Sequence, residues 1–280
     1  MTSTGTASFA NLTPAGLPGL TLAYERHGAG EPLVLLHGIG HHRQAWDPVV
    51  AALAERREVV TVDLPGFGES PAQPAGLPYS LDTAVTVFGA FFDALGLRVP
   101  HVAGNSLGGL IALRLAQAGR ARSVTALSPG GFWNAPEAVY TFTLLKAMRR
   151  GALALPPGAI ERMARRPLGR RALTGAICAD PVRRDPRTVV AETMAMREAT
   201  GFDATLAVGS GGGRFRGGVD ERTPVTIAWG DRDRMLPRRQ GVRAGHAIPH
   251  ARLIRLPRCG HVPMNDDPAL VARVLLEGSR

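Results

Sequence analysis

The chain has 280 residues, of which 45% are hydrophobic and 20% are charged, as is usual for globular proteins. This composition excludes a disordered chain, a collagen-like repeat and a coiled coil. No uncharged apolar run approaches the roughly 18–20 residues of a membrane-spanning helix, and residues 1–19 show no secretory signal. Cys178 and Cys259, the two cysteines, provide neither a disulfide framework nor a metal-binding quartet. We therefore expect a reduced, cytoplasmic protein of one large α/β domain or two smaller ones.

The net charge of +10 raises the question of a nucleic-acid partner. Only Lys146 among the 33 basic residues is a lysine, and the arginines scatter along the chain, mostly in pairs such as Arg56-Arg57 and Arg149-Arg150. A nucleic-acid site would concentrate its charge beside aromatic residues or on one helix face. The sequence also has no helix-turn-helix, RNP or zinc-finger spacing. We expect solvated surface arginines and neither a nucleic-acid nor a membrane partner.

The apolar pattern predicts strands that alternate with helices over the first half of the chain. Two short strands joined by a turn are predicted within residues 20–36, and the second, Leu33–Leu36, is apolar throughout. The pattern continues with a helix over 46–54, a strand over 59–62, a helix over 81–95, a strand over 101–103, a helix ending near Gly119 and a strand over 123–127. This alternation predicts a mostly parallel sheet with helices on both faces, an α/β fold.

The alternation stops between Gly130 and Arg222. That stretch contains helical pieces separated by prolines and glycines, at 137–149, 159–164 and 188–199. The strand pattern resumes at 224–229 and again at 251–256. We expect a core domain of residues 1–129 and 223–280, with a helical cap of residues 130–222 inserted between two strands. The run rich in glycine and arginine at 209–218 is expected to be the flexible return from the cap.

The strongest local motif is Gly104-Asn105-Ser106-Leu107-Gly108, which directly follows a predicted strand and directly precedes a predicted helix. In this context G-x-S-x-G indicates a serine on a tight, strained turn, with small neighbours that let strand and helix approach each other. Such a turn exposes the hydroxyl and aims the N–H groups of the helix N-terminus at a reacting carbonyl. Ser106 is therefore a candidate nucleophile; the alternative is an ordinary glycine turn with a helix-capping serine.

A serine nucleophile needs a base, and the base needs an orienting carboxylate. The runs WGDRD at 229–233 and CGHVP at 259–263 each follow a predicted strand, and therefore lie at the same sheet edge as Ser106. Serine, aspartate and histidine then occur in the chain order of this architecture. We predict His261 as the base and an aspartate of the first run, Asp231 or Asp233, as its partner.

An oxyanion site needs two backbone donors. The N–H of Leu107 directly follows the candidate nucleophile, and the N–H of Ile39 lies in the loop after the apolar strand at 33–36. We predict that these two groups form the oxyanion site. His37 is expected to brace the same loop, and His246 and His250 are expected at the surface.

At this point the chain resembles α/β-hydrolase-fold serine hydrolases with a helical cap. The motifs that carry the resemblance are HGIG at 37–40, DLPGFGES at 63–70, GNSLGG at 104–109, GDRD at 230–233 and GHVP at 260–263. The resemblance implies that the acid is Asp233 rather than Asp231 and that Asp63 is structural. It implies a small-molecule substrate and a monomer or homodimer. No nucleotide-binding glycine pattern and no metal-binding cluster accompanies these motifs, so we expect no cofactor.

Haloalkane dehalogenases and epoxide hydrolases of this fold use an aspartate as the nucleophile. The serine at position 106 therefore argues against both classes. We predict hydrolysis of a small carboxylic ester through an acyl-enzyme. The pair Asn105-Ser106 is similar to the elbow of meta-cleavage-product C–C hydrolases, although Val262 stands where those enzymes commonly have tryptophan. C–C hydrolysis, amide, lactone or peracid chemistry and a ligand-binding protein on the same fold remain alternatives.

Apolar residues of the cap are candidates for the acyl pocket. Most are expected to bury the helices of the cap and a minority to line the pocket. They are Phe132, Trp133, Tyr140, Phe142, Leu144, Leu145 and Met148. Val262 and Trp46 are further candidates for its border, and Cys259 is expected to be a packed thiol.

Overall fold

The computed structural model describes residues 7–280; residues 1–6, where the segment assessed for a secretory signal begins, lie outside it. Eight strands form one sheet in this part of the chain, in the order β1-β2-β4-β3-β5-β6-β7-β8. They are β1 (Ser8–Leu12), β2 (Leu20–His27), β3 (Pro32–Leu36), β4 (Glu58–Val62), β5 (His101–Asn105), β6 (Ser123–Leu127), β7 (Val225–Gly230) and β8 (Arg252–Leu256).

Ten α-helices accompany these strands within residues 7–280. They are α1 (Asp47–Ala54), α2 (Leu81–Ala94), α3 (Leu107–Gln117), α4 (Ala135–Ala154), α5 (Pro157–Arg165), α6 (Pro167–Thr174), α7 (Pro186–Glu198), α8 (Phe202–Ser210), α9 (Arg239–Ala247) and α10 (Pro268–Gly278). No helix between residues 7 and 280 combines the length and hydropathy needed to cross a membrane.

The strands β4, β3, β5, β6, β7 and β8 are mutually parallel, and β2 runs antiparallel to both of its neighbours, β1 and β4. Strands β5, β6 and β7 are buried along their whole length, because helices cover both faces of a parallel sheet. The predicted α/β fold is confirmed. Strand β1 was not predicted, because its large residue Phe9 is 54% exposed while the small Ala10 faces the core.

The parallel strands bring distant segments to one edge of the sheet. Asn105 at the end of β5 pairs with Leu127, and Gly230 at the end of β7 pairs with Leu256 at the end of β8. Ser106 directly follows Asn105, and the loops that carry Asp233 and His261 follow β7 and β8. The parallel direction of β5, β7 and β8 therefore places Ser106, Asp233 and His261 at the same edge of the sheet.

Helices α4 to α8 all lie between β6 and β7 in the chain and pack on one another. Three of them correspond to the predicted helical pieces, whereas α6 and α8 were not predicted. The expected flexible return at residues 209–218 is partly wrong, since Gly209 belongs to α8. A Cβ on Gly209 would lie 2.7 Å from the Phe142 ring, so the start of this run is packed helix.

Several arginines among these helices have structural partners, which corrects the expectation of a uniformly solvated arginine surface. Arg197 donates to carbonyls at the end of α4, Arg170 to those at the end of α5, and Arg149 to those at the end of α7. The last carbonyls of a helix have no partner within it and carry the negative end of its dipole. Part of the positive charge therefore stabilises helix ends.

Candidate active site

Ser106 occupies a strained turn between β5 and α3. Its φ of 55° and ψ of −113° lie outside the regions that L-residues ordinarily adopt. A Cβ on Gly104 would lie 2.2 Å from the carbonyl carbon of Gly108, and a Cβ on Gly108 would lie 2.1 Å from the carbonyl oxygen of Leu36. Only glycine fits at either position, which is the steric reason for the spacing in the motif.

His261 faces Asp233 across the ends of β7 and β8. The distance between His261 Nδ1 and Asp233 Oδ2 is 2.9 Å. Asp233 Oδ1 accepts from the backbone N–H groups of Met235 and Leu236, at 2.9 and 2.8 Å. Asp231 instead accepts from Arg255 at 2.9 Å. Of the two aspartates in the GDRD motif, the second therefore orients the histidine ring.

The loop that carries His261 is tied to its surroundings by two side chains. Asn105 Nδ2 donates to the carbonyl oxygens of His261, at 2.9 Å, and of Leu127, at 3.0 Å. Asp266 Oδ2 accepts from the N–H of Gly260 at 2.7 Å. Sequence reasoning did not find these roles, because each contact joins segments that no local pattern relates. Asn105 thus couples the turn of the serine to the loop of the histidine.

Ser106 and His261 line the same narrow cavity of about 20 Å³. Both are buried, with 9% and 3% of their surface exposed. Within residues 7–280 no hydrogen bond joins their side chains. Such bonds are often long in unliganded enzymes and shorten when substrate binds.

The backbone N–H groups of Ile39 and Leu107 have no acceptor among the described residues. Both residues line a cavity together with Ser106. Leu107 is the first residue of α3, so its N–H lies at the positive end of the helix dipole. The two donors predicted for an oxyanion are thus unoccupied and next to the serine.

His37 and Asp63 brace the loop that carries Ile39. His37 Nε2 accepts from the N–H of Leu64 at 3.0 Å, and its Nδ1 lies 2.8 Å from the carbonyl oxygen of Gly38. Burial lowers the pKa of His37 to about 4, so the ring is neutral at pH 7. Asp63 accepts from the backbone and the guanidinium of Arg43. These contacts hold the loop, and neither side chain reaches Ser106.

An apolar cavity of about 100 Å³ opens from Ser106 toward helices α4 and α8. Trp133, Phe142 and Leu145 line it, and no charged side chain among residues 7–280 does. Three of the other residues proposed for the acyl pocket lie outside this cavity: Phe132 packs on Phe215, Tyr140 is 49% exposed and donates to the Arg234 carbonyl, and Leu144 lines a second cavity. Met148 lines both the second cavity and the narrow cavity that holds Ser106 and His261. Of the border candidates, Val262 lines the narrow cavity beside Ser106, whereas Trp46 is packed in the core.

Neither cysteine takes part in this arrangement. Cys178 and Cys259 are buried free thiols, and burial raises the pKa of each to about 12. Both are therefore protonated at pH 7 and poor nucleophiles. In the part of the chain from residue 7 onward, no group of three or more histidine, cysteine or acidic side chains is placed to hold a metal ion.

Comparison with known proteins gives the family. The model of the alpha/beta hydrolase family matches residues 33–274. An uncharacterized protein of Mycobacterium tuberculosis is 30% identical over 268 residues, which cover 90% of this chain and 76% of that protein. The chain spans 37% of the length of a longer curated relative that it also matches.

Solved structures with the same fold cover nearly the whole chain. A thermophilic esterase from Thermogutta terrifontis has a TM-score of 0.74 at 20% identity, over 98% of this chain and 97% of its own. A meta-cleavage product hydrolase from Pseudomonas fluorescens has a TM-score of 0.73 at 20% identity, over 95% and 96%. At this identity the likeness concerns the fold. Together with the family match over residues 33–274, it identifies the chain as a member of the alpha/beta hydrolase family.

Proposed function

We propose that this protein is a serine hydrolase that cleaves small carboxylic esters with an uncharged, apolar acyl group. The observation that carries the proposal is the convergence at one sheet edge. A serine on a strained turn shares a narrow cavity with a histidine, and that histidine is oriented by a buried carboxylate. Two unoccupied backbone N–H groups adjoin the serine. This is the combination that acyl transfer requires.

In the proposed mechanism His261 removes the proton from Ser106 Oγ, which attacks the ester carbonyl. Asp233 keeps the proton of the neutral ring on Nδ1 and stabilises the imidazolium that forms. The N–H groups of Ile39 and Leu107 bind the oxyanion, where the loss of one donor typically costs about 3–4 kcal/mol of barrier. His261 then gives its proton to the leaving alcohol, and water hydrolyses the acyl-enzyme through the same base.

The character of the apolar cavity favours an ester over a C–C substrate of the meta-cleavage type. Such a substrate is a dienoic acid whose carboxylate would need a positive partner, and the cavity beside Ser106 has no charged lining. Asn105, which prompted the C–C alternative, uses its amide to hold the His261 loop.

We further propose that residues 130–222 act as a cap that sets specificity over a core of residues 1–129 and 223–280. Trp133, Phe142 and Leu145 support this assignment, because they reach from the cap segment into the cavity beside Ser106. The two buried free thiols are in keeping with the reducing cytoplasm as its site of action.

The test is hydrolysis of p-nitrophenyl esters from acetate to decanoate by wild type and by Ser106→Ala. We expect steady turnover by wild type and a loss of about 10³-fold or more in the variant. Ser8→Ala, which removes an exposed hydroxyl at the start of β1, serves as the matched control and should keep full activity. A single burst of product from wild type, or equal rates for Ser106→Ala, would contradict the proposal.

A further inference from the structure

A second cavity lies within the proposed cap, enclosed mainly by α4, α6 and α7. Its volume is about 330 Å³. Four residues line both this cavity and the narrow cavity that holds Ser106 and His261, namely His41, Met148, Ile177 and Met196. The two spaces therefore adjoin, with two flexible methionine side chains between them. We call the second space the cap cavity.

One of the two ionisable groups of the cap cavity is Glu192, which is 5% exposed. Its Oε1 accepts from Arg184 at 2.7 Å and from Asn265 at 3.0 Å. Its Oε2 is buried and has no hydrogen-bond partner among residues 7–280. Burial raises the pKa of Glu192, but the charge and the hydrogen bond of Arg184, together with the neighbouring His41 and His42, outweigh burial and leave the pKa below its ordinary value. The group is a carboxylate with one free acceptor oxygen.

The second ionisable group is His41, on the loop that also carries Ile39. It is 6% exposed, and its Nδ1 has no partner within the described chain. Burial lowers its pKa to about 4, so the ring is neutral at pH 7. A buried polar atom without a partner costs free energy, and native structures contain few of them. Glu192 Oε2 and His41 Nδ1 belong to residues that line one cavity, and a polar group of a ligand bound there would give such an atom a partner.

The position of His261 tells which part of an ester faces the cap cavity. The general acid must reach the oxygen of the leaving alcohol. His261 lines the narrow cavity but not the apolar cavity that opens from Ser106. Ile39 and Ser106 line both of these cavities. The acyl chain therefore occupies the apolar cavity, and the alcohol leaves on the side that continues into the cap cavity.

We propose that the cap cavity is the binding site for the alcohol part of the ester, and that this alcohol carries a second hydroxyl that donates to Glu192 Oε2. This inference rests on the proposed esterase function and narrows its substrates to monoesters of diols or polyols. A plain alkyl alcohol would leave Oε2 without a partner. An alcohol that carries an anionic group would be repelled by the carboxylate of Glu192. Apart from Glu192, Thr174 and Thr193, the lining from α4, α6 and α7 consists of apolar residues, which suits the methylenes between the two oxygens.

The test compares two series of esters of one fatty acid. One series has ω-hydroxyalkyl alcohols of increasing length, and the other has the matching ω-methoxyalkyl alcohols, which accept but cannot donate a hydrogen bond. In wild type we expect kcat/KM for the hydroxyl ester to exceed that for its methoxy partner by about tenfold at one chain length, as for a hydrogen bond to a charged group. In Glu192→Gln we expect the ratio to fall to one or to invert, because the amide nitrogen now donates to the ether.

Glu198→Gln is the matched control, since Glu198 ends the same helix and is exposed; its ratio should equal that of wild type. A ratio near one at every length in wild type overturns the inference, and so does an unchanged ratio in Glu192→Gln. If Glu192→Gln is unfolded by circular dichroism, the length-dependent ratio in wild type decides. The proposed function fails separately, if wild type hydrolyses no ester of either series. Calorimetric titration of wild type with the paired esters then decides: preferential binding of the hydroxyl member supports the site, and equal or no binding overturns it.

Discussion

The sheet edge that carries Ser106 and the group of helices α4 to α8 are each held together by a different kind of contact. At the sheet edge, backbone meets backbone: a Cβ on Gly104 or on Gly230 would lie 2.2 Å from the facing chain. Among helices α4 to α8, long side chains reach helix ends, as where Arg197 donates to the carbonyl of Leu153 at 2.6 Å. Backbone contacts permit little displacement, whereas an arginine has several rotatable bonds. The difference indicates a rigid sheet edge at the candidate site and a more adaptable arrangement of helices α4 to α8.

The largest effect that this comparison predicts is for Gly104→Ala. The added methyl group meets backbone that cannot move aside, so we expect a loss of more than about 3 kcal/mol of unfolding free energy, or no folded protein. Gly151→Ala in α4 is the matched variant, because nothing lies within 4 Å of the added atom. It should gain about 0.5–1 kcal/mol, since alanine favours helix. Urea unfolding measures both; equal tolerance at the two sites would contradict a rigid edge.

The second prediction concerns the two aspartates of the GDRD motif. Asp233→Asn removes the carboxylate 2.9 Å from His261 Nδ1 and favours the wrong tautomer, so kcat should fall about 10³–10⁴-fold. Asp231→Asn alters only a contact with the exposed Arg255 and should stay near wild type. Ester hydrolysis at pH 7.5, with circular dichroism to verify folding, makes the comparison. Equal losses of kcat in the two variants would contradict a role for Asp233 in orienting His261.

The third prediction is a loss of stability in mild acid. Burial lowers the pKa of both His37 and His41 to about 4, whereas an unfolded histidine titrates near 6.5. The stabilising contribution is therefore complete above pH 6.5 and declines as the pH falls toward 4, by about 2 kcal/mol per histidine at pH 5. Urea unfolding from pH 7.5 to 5 measures the slope. His37→Gln should reduce the loss at pH 5 by about 2 kcal/mol, and an unchanged slope would exclude His37 as a contributor.

The smallest expected effect is on the free energy of unfolding when a contact at the end of α4 is removed. Arg197→Ala leaves the carbonyls at the end of α4 without their donor, and should lower the unfolding free energy by about 1–2 kcal/mol. Arg150→Ala on α4 removes an exposed guanidinium and should change it by less than about 0.5 kcal/mol. Hydrogen exchange should show faster opening at the end of α4 only for Arg197→Ala. Equal exchange in both variants would mean that the helix end is held by packing.

Prediction from the sequence worked where the information is local. The strand from Ser123 to Leu127 was placed at its exact bounds, because its apolar run is short and flanked by turns. Helices α6 and α8 were missed because they have only 8 and 9 residues and begin at Pro167 and directly after Gly201, residue types that usually mark turns. Strand β1 was missed because its exposed and buried residues reverse the expected pattern.

The same distinction between local patterns and distant contacts applies to the residues of the candidate site. Ser106, its glycine neighbours and the loops of Asp233 and His261 could be predicted from spacing and from their place after strands. The roles of Asn105 and Glu192 could not, because an asparagine beside a serine or a glutamate in a helix is unremarkable until its distant partner is known. The apolar character of the cavity beside Ser106 was likewise decided by which cap side chains turn inward.

By itself the sequence determined the order of strands and helices and the strained turn of Ser106. It also determined the sheet edge at which Ser106 and the loops of Asp233 and His261 lie. These follow from steric and hydrophobic rules that act over a few residues. Only the tertiary structure decided that Asp233 rather than Asp231 faces His261, that Ile39 and Leu107 keep free N–H groups, and that His41 and Glu192 line one cavity. Each of these depends on the distance between atoms that are far apart in the chain, and packing alone sets that distance.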